Sequence, residues 1–186
     1  YTSSLGSIAE EWLKRAKSLG GELCVADSSG TELSYHKLIA AVLFMSQRWE
    51  VPLKNQQNIG VILPASIAGV IANLALFVLG KTVVNLNYTA GDDNILYAMQ
   101  QAEVRTIITA RPFVERLQGK GFDLTNVLTH ARILHFEDYK QRSSKFKILL
   151  HYALIKITPL PVIRALYLRH RSVNDVAAIL FSSGSE

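Results

Sequence analysis

The sequence has a single cysteine, Cys24, in the apolar setting "LCVA". A lone cysteine excludes an internal disulfide and fits a reducing compartment. No neighbouring group would lower its thiol pKa, so it reads as a small core residue rather than a nucleophile. Acidic residues are missing between Tyr139 and Asp175, a stretch that holds eight Lys and Arg. Charge of either sign is missing from residues 55–80. Charged residues make up only 19% of the 186-residue chain and apolar ones 49%, which excludes a disordered chain and allows a real core. Internal repeats and low-complexity tracts are missing too. The start, "YTSSLGSIAEEW", has no basic stretch leading into an apolar one and does not read as a signal peptide. With no initiator Met and an abrupt end, the chain is expected to be part of a longer polypeptide.

What is present alternates in type. "SIAE" at residues 7–10 is a capping box, in which the Ser hydroxyl and the Glu carboxylate satisfy N–H groups at a helix start. Ile8, Trp12, Ala16 and Leu19 then form one helical stripe, and Gly20 and Gly21 end it. "LCVAD" and "LSY" read as strands around the turn "SSGTE". A second helix carries Leu38, Val42, Met45 and Trp49 on one face, with Pro52 past its end. Later come "TVVNL" as strand, 92–102 as helix with Ile95, Met99 and Ala102 inward, "RTIIT" as strand and "RPFVERLQ" as helix. A further strand is expected at 132–136, and "VAAILF" is a final apolar strand. Asp92 and Asp93 fit an acidic first helical turn, where carboxylates offset the dipole. The fold class is therefore α/β, a layered and largely parallel sheet flanked by helices.

The uncharged run raises a membrane question, because residues 59–80 are long enough to span a bilayer. Pro64 interrupts the run, Ser66 can cap a new helix, Asn73 sits mid-run and Gly80 marks an end. A buried strand, a turn and a buried helix is the reading these residues favour, with "NIGVIL" as a central parallel strand.

The basic segment, residues 140–171, is expected to be a helical insertion. Formal charge is +5 overall, yet without this segment 12 basic residues face 15 acidic ones. Phe146, Leu149, Leu150, Ala153, Leu154 and Ile157 form a stripe that Ile148, Tyr152 and Ile155 widen. "TPLP" breaks the helix, and a second one places Val162, Ile163, Leu166, Tyr167 and His170 on one side. Three readings stand. The helices pack on the core with their cations reaching to water. Or Lys140, Lys145, Lys147, Lys156, Arg164, Arg169 and Arg171 meet an anionic membrane surface. Or they meet an acidic acyl carrier protein. No nucleic-acid motif accompanies the cations. The five histidines show no metal-ligand spacing with Cys, Asp or Glu, and no metal site is expected.

The last residues, "SSGSE", follow an apolar strand. A glycine allows close backbone approach, and N–H and hydroxyl groups can cradle a phosphate. Taken alone the stretch is equally a plain serine-glycine turn, and it lacks the Gly-Lys ending of a Walker loop. Its context says more. "ELSYHKL", "IGVILPASIAGVIANLALFVLGKTVVNLNY" and "AAILFSSGSE" occur in one order that resembles the adenylate-forming superfamily of acyl-CoA synthetases, peptide-synthetase adenylation domains and luciferases. "VVNLNYTAG" and "AAILFSSGSE" look most like the synthetase half of bifunctional bacterial acyl–acyl-carrier-protein synthetase/2-acylglycerophosphoethanolamine acyltransferases. Tyr88 departs from the proline that many relatives carry there.

The resemblance implies that residues 1–186 are a partial N-terminal adenylation domain, ending within its nucleotide loop. Ser182, Ser183, Gly184, Ser185 and Glu186 would then embrace the β- and γ-phosphates of ATP, with Mg²⁺ as the accompanying cation. No catalytic residue is expected within these residues, and by themselves they are expected not to adenylate. The implied parent activates a fatty acid as its adenylate and passes the acyl group to a carrier-protein or coenzyme A thiol, and onward to a lysophospholipid. Its implied place is the cytoplasm or the inner face of a bacterial membrane. The rival class is a non-catalytic membrane- or partner-binding α/β module; another rival is an adenylating enzyme for a different carboxylic acid.

Overall fold

The structure, a computed structural model, describes residues 6–141, 145–169 and 172–181; the side chains of residues 140, 141 and 145–150 lie outside that description. In chain order the elements are α1 (Ile8–Leu19), β1 (Leu23–Ala26), β2 (Glu32–Ser34), α2 (Tyr35–Glu50), β3 (Asn58–Val61) and α3 (Ile67–Val78). There follow β4 (Thr82–Asn85), α4 (Asp92–Gln101), β5 (Thr106–Thr109), α5 (Arg111–Gln118), α6 (Thr125–Thr129) and β6 (Arg132–His135). The last are α7 (Phe136–Gln141), α8 (Lys145–Ile157), α9 (Leu160–Tyr167) and β7 (Ala178–Ile179).

Five strands form one parallel sheet in the order β6-β5-β3-β4-β7, and β1 and β2 form a separate antiparallel hairpin. The α/β reading of the sequence is therefore correct. The uncharged run is a strand, a turn and a helix, as its punctuation indicates. Ser66 caps α3 by accepting from the Gly69 amide at 3.4 Å. The capping box of α1 is also present: Ser7 Oγ accepts from Glu10 N at 3.4 Å, and the Glu10 carboxylate accepts from Ser7 N at 2.9 Å.

Two hydrophobic layers sandwich the sheet. One holds buried residues of α1, α2, α3, α8 and α9; the other holds those of α4, α5 and α6. Right-handed crossovers require this division, because connections running in opposite directions along a parallel sheet lie on opposite faces. The long connection from β6 to β7 runs from one sheet edge to the other, carrying α8 and α9 against α2 on the way. The basic segment is thus the crossover that delivers the final strand.

Several apolar stripes lie where the sequence places them. Leu38, Val42, Met45 and Trp49 are all buried on α2, as are Ile95, Met99 and Ala102 at α4. Others are turned. On α1 the inward face is Ala9, Leu13 and Ala16, while Ile8 is 53% exposed. The face that α2, α3 and α9 share centres on Leu13, one position round from the expected stripe. On α8, Ile155 is buried and Tyr152 half-buried, whereas Leu154 and Ile157 of the expected stripe are 47% and 77% exposed. The residues expected only to widen the stripe dock the helix. His151 stacks edge-on with Phe44 and Tyr167, and Lys17 Nζ donates to the carbonyls of Ile155 and Lys156 at the helix end. On α9, Ile163 is buried and Tyr167 half-buried, but Val162 and Leu166 face out. Phe146, Ile148, Leu149, Leu150 and His170 lie outside the described side chains.

Gly60 in β3 is dictated by contact. A Cβ there would lie 2.9 Å from Val104 Cγ1 and 3.1 Å from both Ile107 Cγ1 and Leu86 Cδ1. Gly60→Val is expected to cost about 1–3 kcal/mol through overpacking between the sheet and the α4 layer. A urea-unfolding midpoint equal to that of the unsubstituted protein would show that these side chains yield freely.

Candidate nucleotide-binding edge

In open α/β sheets, ligands bind beyond the carboxyl ends of the strands. β7 runs to that edge. It pairs in parallel with β4, Val83 opposite Ala178 and Val84 opposite Ile179. Its approach is pinned by Thr82 Oγ1, which donates to the Val176 carbonyl at 2.8 Å, and by the Val83 amide, which donates to the Ala177 carbonyl at 2.9 Å. The chain leaves this pairing through Leu180 and Phe181, 76% and 38% exposed. Ser182, Ser183, Gly184, Ser185 and Glu186 lie outside the described residues. The structure gives the point from which they start.

Beside that point, at the carboxyl ends of β3 and β4, is a cavity of about 590 Å³. Val61, Leu63, Leu74 and Trp12 contribute apolar wall, and Ser66, Asn73 and Asn85 contribute polar groups. The two asparagines form a ladder: Asn85 Nδ2 donates to Asn73 Oδ1 at 2.9 Å, and Asn73 Nδ2 donates to the Gly69 carbonyl at 2.8 Å. Sequence reasoning marks Asn73 only as an interruption of an apolar run and passes over Asn85. A polar amide in an otherwise apolar helix was the available signal, since a partly buried amide needs a partner.

Several charged groups near this edge are already engaged. Asp27, in the β1–β2 turn, accepts from Ser29 and, through Oδ2, from the Ile67 amide at the start of α3 at 3.4 Å. The Ser29 hydroxyl first, and its amide second, hold the Asp27 carboxyl below the usual carboxylate range. The positive end of α3 therefore already faces a carboxylate. Farther along the same carboxyl edge, beyond β5 and β6, Arg111 forks onto Asp138 at 2.5 and 2.9 Å and also contacts Glu137. Its pKa is raised chiefly by the Asp138 hydrogen bond, and the fork ties α5 to α7. Beyond the paired ends of β3 and β5, buried Thr109 donates to the Ile62 carbonyl at 2.8 Å. Cys24 is half-buried and burial pushes its thiol pKa up, as suits a packing residue. Tyr88 packs edge-on against Phe113, with ring centroids 5.2 Å apart, so the residue that departs from proline serves the second core layer. Among the described residues, no group of three His, Cys, Asp or Glu side chains could hold a metal ion.

The family model described as "AMP-binding enzyme" matches residues 13–186. The chain belongs to the AMP-binding enzyme family. Solved structures agree on the fold of this AMP-binding chain. VinN superposes with a TM-score of 0.68 at 16% identity, over 96% of this chain and 43% of VinN. The N-terminal subdomain of Klebsiella oxytoca NpsA superposes with a TM-score of 0.65 at 14% identity, over 98% of this chain and 40% of that subdomain. The O-succinylbenzoate coenzyme A synthetase MenE of Bacillus subtilis, in complex with ATP and magnesium ion, gives a TM-score of 0.59 at 15% identity, covering 72% and 34%. The chain thus spans less than half the length of these relatives, and its α/β layers match adenylation N-terminal subdomains.

Proposed function

We propose that the protein is the N-terminal part of an ATP-dependent acid-activating ligase, and that Ser182, Ser183, Gly184, Ser185 and Glu186 form the first half of its phosphate-binding loop. The observation that carries this reading is the parallel pairing of β7 with β4, which sends the chain to the carboxyl edge of the sheet directly before "SSGSE". There the Gly184 backbone allows close approach, and serine hydroxyls and backbone N–H groups donate to phosphate oxygens. Residues 1–186 form a partial adenylation domain in this reading, with 140–171 as a helical insertion that doubles as the crossover.

In the proposed reaction a carboxylate oxygen attacks the α-phosphorus of ATP and pyrophosphate departs, leaving an acyl-adenylate. A thiol then takes the acyl group and AMP departs. Both partners of the first step are anionic, and Mg²⁺ supplies charge neutralisation when bound. Among the described side chains no group of three His, Cys, Asp or Glu could hold that cation. The described residues fix the loop's starting point and wall the neighbouring cavity.

The substrate reading is a fatty acid, with a carrier-protein or coenzyme A thiol as acceptor and a lysophospholipid as final acceptor. Its support is the resemblance of "VVNLNYTAG" and "AAILFSSGSE" to the bifunctional synthetase/acyltransferases. ATP–pyrophosphate exchange by the full-length protein, measured with fatty, aryl and amino acids, tests it. Exchange driven by fatty acids is expected. Exchange driven only by another acid class would keep the adenylation chemistry and overturn the lipid reading. No exchange with any acid, from folded protein, would overturn both.

A further inference from the structure

We propose that Thr82 is a positioning residue for the phosphate-binding loop: its hydroxyl, held by Gln57, sets the register in which β7 pairs with β4. This role rests on the nucleotide reading of residues 182–186 and brings in two residues from the opposite, amino end of the sheet. β7 is two residues long and meets β4 at two paired positions, where β3 meets β4 at four. Among the described residues β4 is its one neighbour in the sheet. Register is ordinarily set by a tight turn or by alternation of apolar and polar residues. β7 has neither. It arrives by a crossover from the far edge, and "VAAILF" is apolar throughout. The crossover's own ion pairs stop short of it. Arg164 pairs with Glu10 at 2.5 Å and Arg169 pairs with Glu50, the latter seven residues before Val176. They tie the crossover to α1 and α2 and leave the sheet register open.

Thr82 supplies what these ties do not. It is 3% exposed and is the first residue of β4. Its Oγ1 donates to the Val176 carbonyl at 2.8 Å, just ahead of β7. A hydroxyl has one proton and a carbonyl only accepts, so that proton is committed to Val176. Gln57 holds the oxygen from the other side. Its Nε2 donates to Thr82 Oγ1 at 3.3 Å and to the Gly80 carbonyl at 3.1 Å, and the Thr82 amide donates back to the Gln57 carbonyl at 2.9 Å. A slip of one residue would carry the Val176 carbonyl about 3.3 Å along the strand, out of reach of the hydroxyl, and would turn every β7 side chain to the other face. Ser182 follows Val176 by six residues, so the loop would move with the strand. Thr82 does not touch the nucleotide; it acts through β7. A loop in the right register for only part of the time binds ATP more weakly in proportion.

Thr82→Val keeps the side-chain shape and removes the donor; Thr82→Ser keeps the donor. Gln57→Met removes the supporting amide at an exposed position, and carries the same test if Thr82→Val does not fold. Two readouts in the full-length protein separate the register from the nucleotide reading. The first is hydrogen–deuterium exchange of residues 177–181 without nucleotide. Protection is expected to fall about ten-fold in Thr82→Val, about three-fold in Gln57→Met, and not at all in Thr82→Ser. The second is equilibrium dialysis of ATP. The dissociation constant is expected to rise about five-fold in Thr82→Val and to stay at the unsubstituted value in Thr82→Ser. Unchanged protection in Thr82→Val and Gln57→Met would overturn the register role. So would equal losses in the Val and Ser variants, which would make shape rather than the hydroxyl the cause. Lower protection with unchanged ATP binding, where Gly184→Val binds ATP weakly, would overturn the positioning role and leave the loop reading standing. Unchanged ATP binding in both Thr82→Val and Gly184→Val would overturn the nucleotide reading and this role with it.

Discussion

Replacing Trp49 with alanine is expected to lower the unfolding free energy by about 3–5 kcal/mol. Trp49 has no exposed surface and sits in the last turns of α2. It meets Phe136 and Tyr139 of α7 edge-on, at ring-centroid distances of 5.9 and 6.3 Å. It therefore joins α2, the central helix of one layer, to the start of the crossover that ends in β7. Alanine would leave a void between α2 and α7. Trp49→Phe separates packing from polarity. The buried indole N–H has no hydrogen-bond partner among the described residues. Phenylalanine loses ring area but removes that unsatisfied donor, and the two terms are each about 1–3 kcal/mol and opposite in sign. The Phe variant is expected to stay within about 1 kcal/mol of the parent. Urea titrations of both variants check this. An alanine variant as stable as the phenylalanine one would show that α7 does not rest on Trp49.

If the proposed loop holds the phosphates, Gly184→Val in the full-length protein is expected to lower ATP–pyrophosphate exchange by about 10²–10³-fold, the size of effect seen when donors no longer reach the reacting oxygens. In the proposed loop a branched side chain would keep phosphate oxygens from approaching the backbone. The fold should be untouched, since the chain has already left the β4–β7 pairing by Leu180. Wild-type exchange in this variant would remove Gly184 from the site.

Much of this architecture is legible in the residues because local and global signals agree. The Ser66 cap, Pro64 and the apolar "NIGVIL" all ask for strand, turn and helix, and that is what forms. The stripe on α2 is plain because Leu38, Val42, Met45 and Trp49 repeat at helical spacing, although Ile39, Ala40, Leu43 and Ser46 are buried beside them. Legibility fails where a helix is apolar all round. On α8 nearly every residue from 148 to 157 could be inward, so periodicity alone cannot choose a face. Tertiary contacts choose it: Tyr152 and Ile155 face the core and Leu154 and Ile157 are left outside. Likewise Ile8 looks like a core residue until α1 settles on Leu13. Of the proposed site, "SSGSE" suggests a phosphate-binding chemistry in the sequence, but the edge at which the described chain ends is not readable there. That depends on β7 crossing the whole sheet to pair with β4, a long-range pairing no local pattern encodes. The Asn73–Asn85 ladder is hidden for the same reason, since its members are 12 residues apart and meet only once β4 lies beside β3.

The central claim is that the chain leaving β7 holds the outer phosphates of ATP. Equilibrium dialysis of ATP and of AMP against the full-length protein and its Gly184→Val variant tests it most directly. ATP affinity is expected to fall by about 100-fold in the variant, with AMP affinity unchanged, because AMP has no β- or γ-phosphate to lose from the loop. Equal loss for both nucleotides, or no loss for either, would contradict it.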